Sequence, residues 1–384
     1  MRFEFATATR IIFGNGTFRE VAPIAAEMGK SVFVITDTRI SSAQSLFGQL
    51  KKHNIKYVTH HAEGEPTTIS AMEAVEKARL ADCDLVIGLG GGSVIDTGKV
   101  VAAMLTNSGK IEDYLEVVGL GKPLTEMPAP YIAIPTTAGT GAEVTRNAVL
   151  AVEQHNIKVS MRSPLMLPRL AVVDPELTVS MPPAVTASTG LDALTQLMEA
   201  YVSNKANPLT DGICRRGLTH AARSLRKAYE NGDDITARED MSIASLFGGL
   251  ALANAKLGAV HGFSGTLGGM FHAPHGVICA SLLPAVMQVN VQALQSRSPD
   301  SPALQRFDEI AQILTGSAKV RAKEAVEWIN DICRALNVPS LADIGLKESD
   351  FDTVIQNAKN SSSMKGNPIT LADEELMCIL KQSL

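Results

Sequence analysis

The first half of the chain alternates short β-branched and apolar runs with segments of helical periodicity, and this alternation restricts the fold more than any other feature. Runs at Ser31–Thr36 (SVFVIT), Lys56–His60, Asp84–Leu89 (DLVIGL) and Tyr131–Ile134 end at turn-forming residues, with helical segments near 40–54, 68–81 and 93–106 between them. A parallel connection needs a crossover of a dozen residues or more, so strands separated by helices predict parallel pairing and a doubly wound sheet. Further short strands are expected near 147–152 and 169–173. After Asp174-Pro175 and Pro182-Pro183 the texture changes: residues 184 to about 255 are rich in Ala and Leu at helical spacing, with no strand-like run. Later helices are expected near 257–268, 276–292, 303–315, 320–336, 349–360 and 372–382. The reading is an α/β N-terminal domain over 1–182 and an all-α C-terminal domain over 183–384.

Composition narrows the function. A chain of 384 residues exceeds the size at which one core normally stops growing, in keeping with two domains. Lys and Arg number 35 against 40 Asp and Glu, with no long basic run and only 4% aromatic residues, which argues against nucleic acid as a partner. Five scattered cysteines without a C-x-x-C pair speak against a disulfide framework and fit a reducing cytoplasm. Charges at Arg2, Glu4 and Arg10 interrupt any signal-peptide core, and nowhere do eighteen apolar residues run together, so no membrane span is expected.

Directly after DLVIGL stand Gly90-Gly91-Gly92-Ser93, followed by Val94-Ile95-Asp96 at the start of a helix. Glycines allow close approach of a ligand to the backbone, and free N–H groups with the helix dipole favour a pyrophosphate there. The alternative is a tight strand-to-helix turn with Ser93 as its N-cap. The loop misses G-x-G-x-x-G, because Ser93 occupies the third glycine position. Asp37, the acidic candidate for a ribose, lies upstream of the loop rather than about 20 residues beyond it, which disfavours an ordinary Rossmann order. A second loop, Pro135 to Thr145 (PTTAGTGAEVT), offers hydroxyls and amides after a strand and reads equally as a ligand loop or a solvated turn.

Three of the eight histidines, His261, His272 and His275, fall within fifteen residues. Upstream, Asp192 and Gln196 are four apart and share a helix face. Two oxygen donors can thus meet two imidazoles in a mixed site for a borderline divalent ion. The same residues also read as a helix-start carboxylate and satisfied core histidines.

Taken in order, GGGSVIDTGK, PTTAGTGAEVT, DPELT, TGLDALTQLMEAYVSNKANPLTD and VHGFSGTLGGMFHAPHG resemble the successive motifs of the iron-containing (group III) alcohol dehydrogenases, over nearly the whole chain. The resemblance implies a dinucleotide-binding α/β domain joined to a helical metal and substrate domain, the fold shared with dehydroquinate synthase. It implies that Gly91, Gly92, Ser93 and Asp96 hold the pyrophosphate region of NAD, with NADP as the second option, that Thr136, Thr137, Thr140, Thr145 and Lys158 line the cofactor, that Leu177 and Thr178 lie near the adenine, and that Asp37 meets the ribose. It also implies a divalent metal, iron or zinc, on Asp192, Gln196, His261 and His275. Gln196 stands where the family usually has histidine, and Gly265 replaces a further histidine. The segment Ser361–Pro368 resembles the family's Asn-Pro loop but carries Lys365. With Ser363 and Asn147 it would face the substrate, and its cation would favour an anionic one; the alternative is a solvated lysine.

The reaction so implied is hydride transfer between a nicotinamide and a small alcohol or aldehyde in a cytoplasmic homo-oligomer, with Asp192, His261 and His272 as catalytic groups and His272 as proton relay. A metal-independent reductase of the maleylacetate reductase type, a lyase of the dehydroquinate synthase type and a cofactor-binding protein without activity are the competing classes.

Overall fold

The computed structural model describes residues 2–37, 42–155 and 157–384, which form two compact units. One comprises Ala6–Thr137 and Gly141–Ser180; the other comprises Met181–Leu384 with Met1–Phe5 and Ala138–Thr140.

The first unit is built on a six-stranded parallel sheet in the order β1-β8-β5-β4-β2-β3. Its strands are β1 (Ile11–Phe13), β2 (Ser31–Thr36), β3 (Lys56–His61), β4 (Leu85–Gly90), β5 (Tyr131–Pro135) and β8 (Leu170–Val173). Helices α1 (Val21–Met28), α2 (Ser42–Lys52), α3 (Thr68–Leu80) and α4 (Gly92–Thr106) connect them. The helix expected near 40–54 is seen from Ser42; its first two residues lie outside the described ones.

Continuous apolar runs make the inner strands because both faces are covered. Every residue of β4 is buried, and Val32, Phe33, Val34 and Ile35 of β2 are fully so. Each such side chain contributes about 1.5–3 kcal/mol by leaving water. The sequence KYVTHH cannot be buried on both faces, and β3 accordingly lies at the sheet edge.

One part differs from a purely parallel reading. The strands β6 (Asn147–Val152) and β7 (Ile157–Arg162) pair antiparallel in a sheet of their own, with Leu150 opposite Val159. Alternating burial along β6, with Ala148, Leu150 and Val152 inward, marks a ribbon covered on one face only. Among the described strands and α-helices, three escaped the sequence reading: β1 is only three residues long, α1 spans only eight residues, and β7 is broken up by Lys158, Ser160 and Arg162.

The second unit is helical among its described residues. It comprises α5 (Pro183–Val202), α6 (Pro208–Glu230), α7 (Ile235–Ala255), α8 (Ala259–Phe271), α9 (His275–Arg297), α10 (Pro302–Thr315), α11 (Ala322–Ala335), α12 (Phe351–Asn360) and α13 (Asp373–Ser383). One large core unites them, drawing Leu191, Leu194 and Leu197 from α5, Leu218 from α6 and Phe263 from α8. Helix α9 is long and apolar enough to cross a membrane, but 72% of its most apolar window is buried inside the protein, as befits a core helix.

Candidate active site

In the α/β unit, strand order and register gather the predicted nucleotide residues. From β2 the chain turns to β3 on one side, and from β4 it turns to β5 on the other, so the connections diverge between β2 and β4. The carboxyl ends of strands flanking such a switch point are where open α/β sheets bind ligands. Thr36 is in register with Leu89 and Gly90 with Pro135, which brings Asp37, Gly91 and the Thr136-Thr137 pair to the same end of three adjacent strands. Leu177 and Thr178 follow β8 at that same end, after Asp174, whose carboxylate accepts from the amides of Glu176, Gly16 and Phe18.

The glycine loop differs from a simple capped turn. The N-cap of α4 is Gly91, not Ser93, which lies inside the first helical turn, and no side chain caps this end. Gly91 has φ −74°, open to any residue, and a Cβ there would make ordinary contact with Thr137 at 3.5 Å. The fold therefore does not require glycine at this position, whereas a ligand approaching the uncapped amides would.

Other predicted residues already have protein partners. Lys99, fully buried, donates to Asp96 Oδ1 at 3.2 Å, Thr145 Oγ1 at 2.8 Å and the Asn147 carbonyl at 2.7 Å. Asp96 Oδ2 accepts from the amide of Val149 at 2.9 Å. Burial pushes the Lys99 ammonium down, opposed by Asp96, and pushes nearby Glu143 up to about 7. Lys158 is ion-paired with Glu65. Asp96, Thr145, Lys158 and Asn147 thus each make contacts within the unit.

In the helical unit, Asp192, His261, His275 and Cys279 bring one donor atom each to within 4.8 Å of one another. Asp192 comes from the middle of α5, His261 from the first turn of α8, and His275 and Cys279 from the first turns of α9, one turn apart. Asp192 Oδ1 is 3.3 Å from His261 Nε2 and 3.7 Å from His275 Nε2. Cys279 Sγ is 3.8 Å and 3.6 Å from the same two nitrogens. Tight packing makes this convergence possible: a Cβ at Gly276 would stand 2.4 Å from the Ser188 carbonyl of α5, so only glycine lets the start of α9 come this close.

Glu199, two turns after Asp192 on α5, fixes the orientation of His261. Its carboxylate accepts from the amides of Val260 and His261 at the start of α8, beside Asn367 Oδ1, which accepts from the amide of Ala259, and it contacts His261 Nδ1 at 2.7 Å. With Nδ1 held there, Nε2 is left to face Asp192. Gln196 lies beside Asp192, one turn on along α5. Its Nε2 donates to Asp192 Oδ2 at 3.2 Å, while its buried Oε1 has no hydrogen-bond partner, because the adjacent carboxylate oxygen calls for a donor.

The electrostatics of the cluster are mutually reinforcing. Burial pushes the Asp192 carboxyl up, but the imidazoles of His275 and His261 outweigh it and hold it below the usual range. Burial likewise drives His261 and His275 down, and the Cys279 sulfur with Asp192 reverses this, holding His261 well above its ordinary value and His275 above its own. Cys279 is held low by His275 and His261 against its burial, whereas Cys333, buried without such neighbours, is pushed up to about 12. Sequence reading missed Cys279 and Glu199. The i, i+4 spacing of His275 and Cys279 on one predicted helix is the signal that could have found the former.

The remaining predicted residues lie outside the cluster. His272 is exposed at the C-cap of α8, with left-handed φ 52°. Lys365 is exposed, Ser363 half-buried. At Gly265, one turn after His261, a Cβ would meet nothing within 4 Å. Gly265→Ala should accordingly stabilise the protein by about 0.5–1 kcal/mol through helix propensity, seen as a higher urea midpoint with unchanged slope. A lower midpoint would show that the space is needed.

Proteins that share this sequence pattern and architecture include several alcohol dehydrogenases. Alcohol dehydrogenase 4 of Schizosaccharomyces pombe is 36% identical over 380 residues, covering 97% of this chain and 87% of its own. NAD-dependent methanol dehydrogenase of Bacillus methanolicus is 31% identical, with 97% of each chain covered. The crystal structure of a 1,3-propanediol oxidoreductase superposes with a TM-score of 0.91 at 31% identity, covering 100% of both chains. The iron-containing alcohol dehydrogenase family matches residues 8–175, and the C-terminal part of the same family matches 186–384. The chain belongs to the iron-containing alcohol dehydrogenase family, and it is an oxidoreductase with the fold its motifs implied.

Proposed function

We propose that this alcohol dehydrogenase uses NAD and a divalent metal to interconvert small alcohols and aldehydes. The convergence of buried Asp192 and His261 with partly exposed His275 carries this reading. These residues would hold the ion, which when bound supplies Lewis acidity toward the substrate oxygen. Residues 183–384 would thus form the metal and substrate domain and residues 1–182 the nucleotide domain. The amides of Gly91, Gly92 and Ser93 would bind the pyrophosphate, flanked by Thr136 and Thr137, with Leu177 and Thr178 near the adenine. Glu199 keeps His261 in position, and exposed His272 exchanges a proton with water.

The test is metal content of protein purified without added metal, paired with NADH oxidation across an aldehyde panel before and after chelation. Turnover surviving complete metal removal would replace this reading with a metal-independent reductase; cofactor binding without any turnover would indicate a protein without activity. A cytoplasmic setting is part of the proposal, supported by five free cysteines. So is a homo-oligomer, supported by exposed Val117, Leu120 and Met127 on the segment between α4 and β5, and testable by light scattering. An anionic substrate rests on Lys365 alone; equal, unchanged KM values for anionic and neutral aldehydes in Lys365→Ala would remove it.

Asp37 bears on cofactor choice. A carboxylate at the β2 end accepts from ribose hydroxyls and repels a 2′-phosphate, so NADH should be preferred over NADPH. Asp37→Gly should narrow that preference by about tenfold in kcat/KM. Preference for NADPH in the wild type, unchanged in the variant, would overturn this assignment.

A further inference from the structure

We infer that Cys279 supplies a thiolate as the fourth metal ligand, so that the ion sits among Asp192, His261, His275 and Cys279, and that Gln196 stands outside the coordination sphere as the donor that positions Asp192. This rests on the metal-assisted reading above and specifies which side chains build the centre.

The distances carry the case. In a tetrahedral site with bonds of about 2.0–2.3 Å, donor atoms lie about 3.3–3.8 Å apart. Four of the six separations among the carboxylate oxygen, the imidazole nitrogens and the sulfur, at 3.3, 3.7, 3.8 and 3.6 Å, fall in that range, and all six lie within 4.8 Å. Cys279 is fully buried, and its helical turn is shared with His275, so the two donors are placed by one rigid element.

Gln196 fits the complementary role. Asp192 presents Oδ1 to the imidazoles and Oδ2 to the amide nitrogen of Gln196. Turning the amide over would set its oxygen against a carboxylate oxygen and leave Oδ2 without this donor. Gln196 therefore fixes the rotation of Asp192 through the oxygen that does not face the histidines, as Glu199 fixes His261 from the other side of the imidazole.

The donor set has a consequence for the ion. One thiolate and one carboxylate neutralise a divalent cation, and a sulfur with two imidazoles suits zinc or cobalt better than magnesium or manganese. A substrate oxygen would join by expansion to five ligands, which zinc tolerates.

Cobalt(II) reports the ligand directly. Purified enzyme stripped of metal and loaded with one equivalent of Co²⁺ should show a thiolate-to-cobalt charge-transfer band in the near ultraviolet. Cys279→Ser should bind cobalt without that band and lose zinc at least about tenfold more readily in competition with a chelator. In Gln196→Ala the band should persist, since the sulfur remains. Stoichiometric cobalt binding by wild type with visible d–d bands but no charge-transfer band would overturn the thiolate ligand and leave the metal-assisted reading standing. Loss of the band in Gln196→Ala with cobalt still bound would overturn the placement of Gln196. Failure of wild type to bind either cobalt or zinc would overturn the metal-assisted reading itself. Because the wild-type spectrum is decisive, the test survives poor folding of either variant.

Discussion

Asp192→Ala should empty the metal centre and lower kcat/KM for aldehyde reduction by about 10²–10³-fold, the worth of one preorganised electrostatic contact to the reacting oxygen. Asp192 is the hub of the cluster, close to His261, His275 and Gln196, and nearly inaccessible to water. Its removal leaves two imidazoles without their shared counter-charge, so metal affinity should fall with activity. Elemental analysis by mass spectrometry and steady-state kinetics on the same preparation check both. Asp192→Asn separates charge from shape: it keeps the side-chain volume, and its metal content should still fall well below wild type. A variant that retains one metal per chain with undiminished kcat/KM would remove Asp192 from the centre.

Gly91→Val should weaken NADH binding by roughly a hundredfold, equivalent to one or two charge-assisted hydrogen bonds of about 1.5–3 kcal/mol each. The backbone at Gly91 is in a region open to valine, and the nearest side chain, Thr137, is at ordinary contact distance from a Cβ. The fold should therefore lose only about 1 kcal/mol, the cost of a poor N-cap. A branched side chain at this point would nevertheless stand over the uncapped amides of α4. Nicotinamide fluorescence titration measures the first effect and a urea transition the second. Unchanged NADH affinity in a folded variant would reduce the loop to a structural turn.

The sequence revealed much of this site through residue type and order. Buried parallel strands need apolar residues on both faces, so SVFVIT and DLVIGL announce themselves without neighbours. Helix spacing alone put Asp192 and Gln196 on one face. By contrast, a three-residue strand such as β1 carries too little pattern to register, and β7 alternates apolar and polar residues because one face of its ribbon is less buried than the other. Ser93 looked like an N-cap by residue type, but helix α4 begins one residue before it.

What the chain determined by itself was therefore local and periodic: the strand and helix segments, the change of texture near residue 182, and the motifs whose joint order marks the family. Tertiary structure decided the rest, because it depends on distances across the sequence. Strand order sets Asp37 and Gly91 at neighbouring strand ends although 54 positions separate them. Helix packing through Gly276 carries Cys279 to Asp192, 87 positions away, and sets the amide nitrogen of Gln196 against Asp192 Oδ2. No periodicity records such contacts, since each is fixed by close packing and by which polar atom remains to be satisfied once the helices have met.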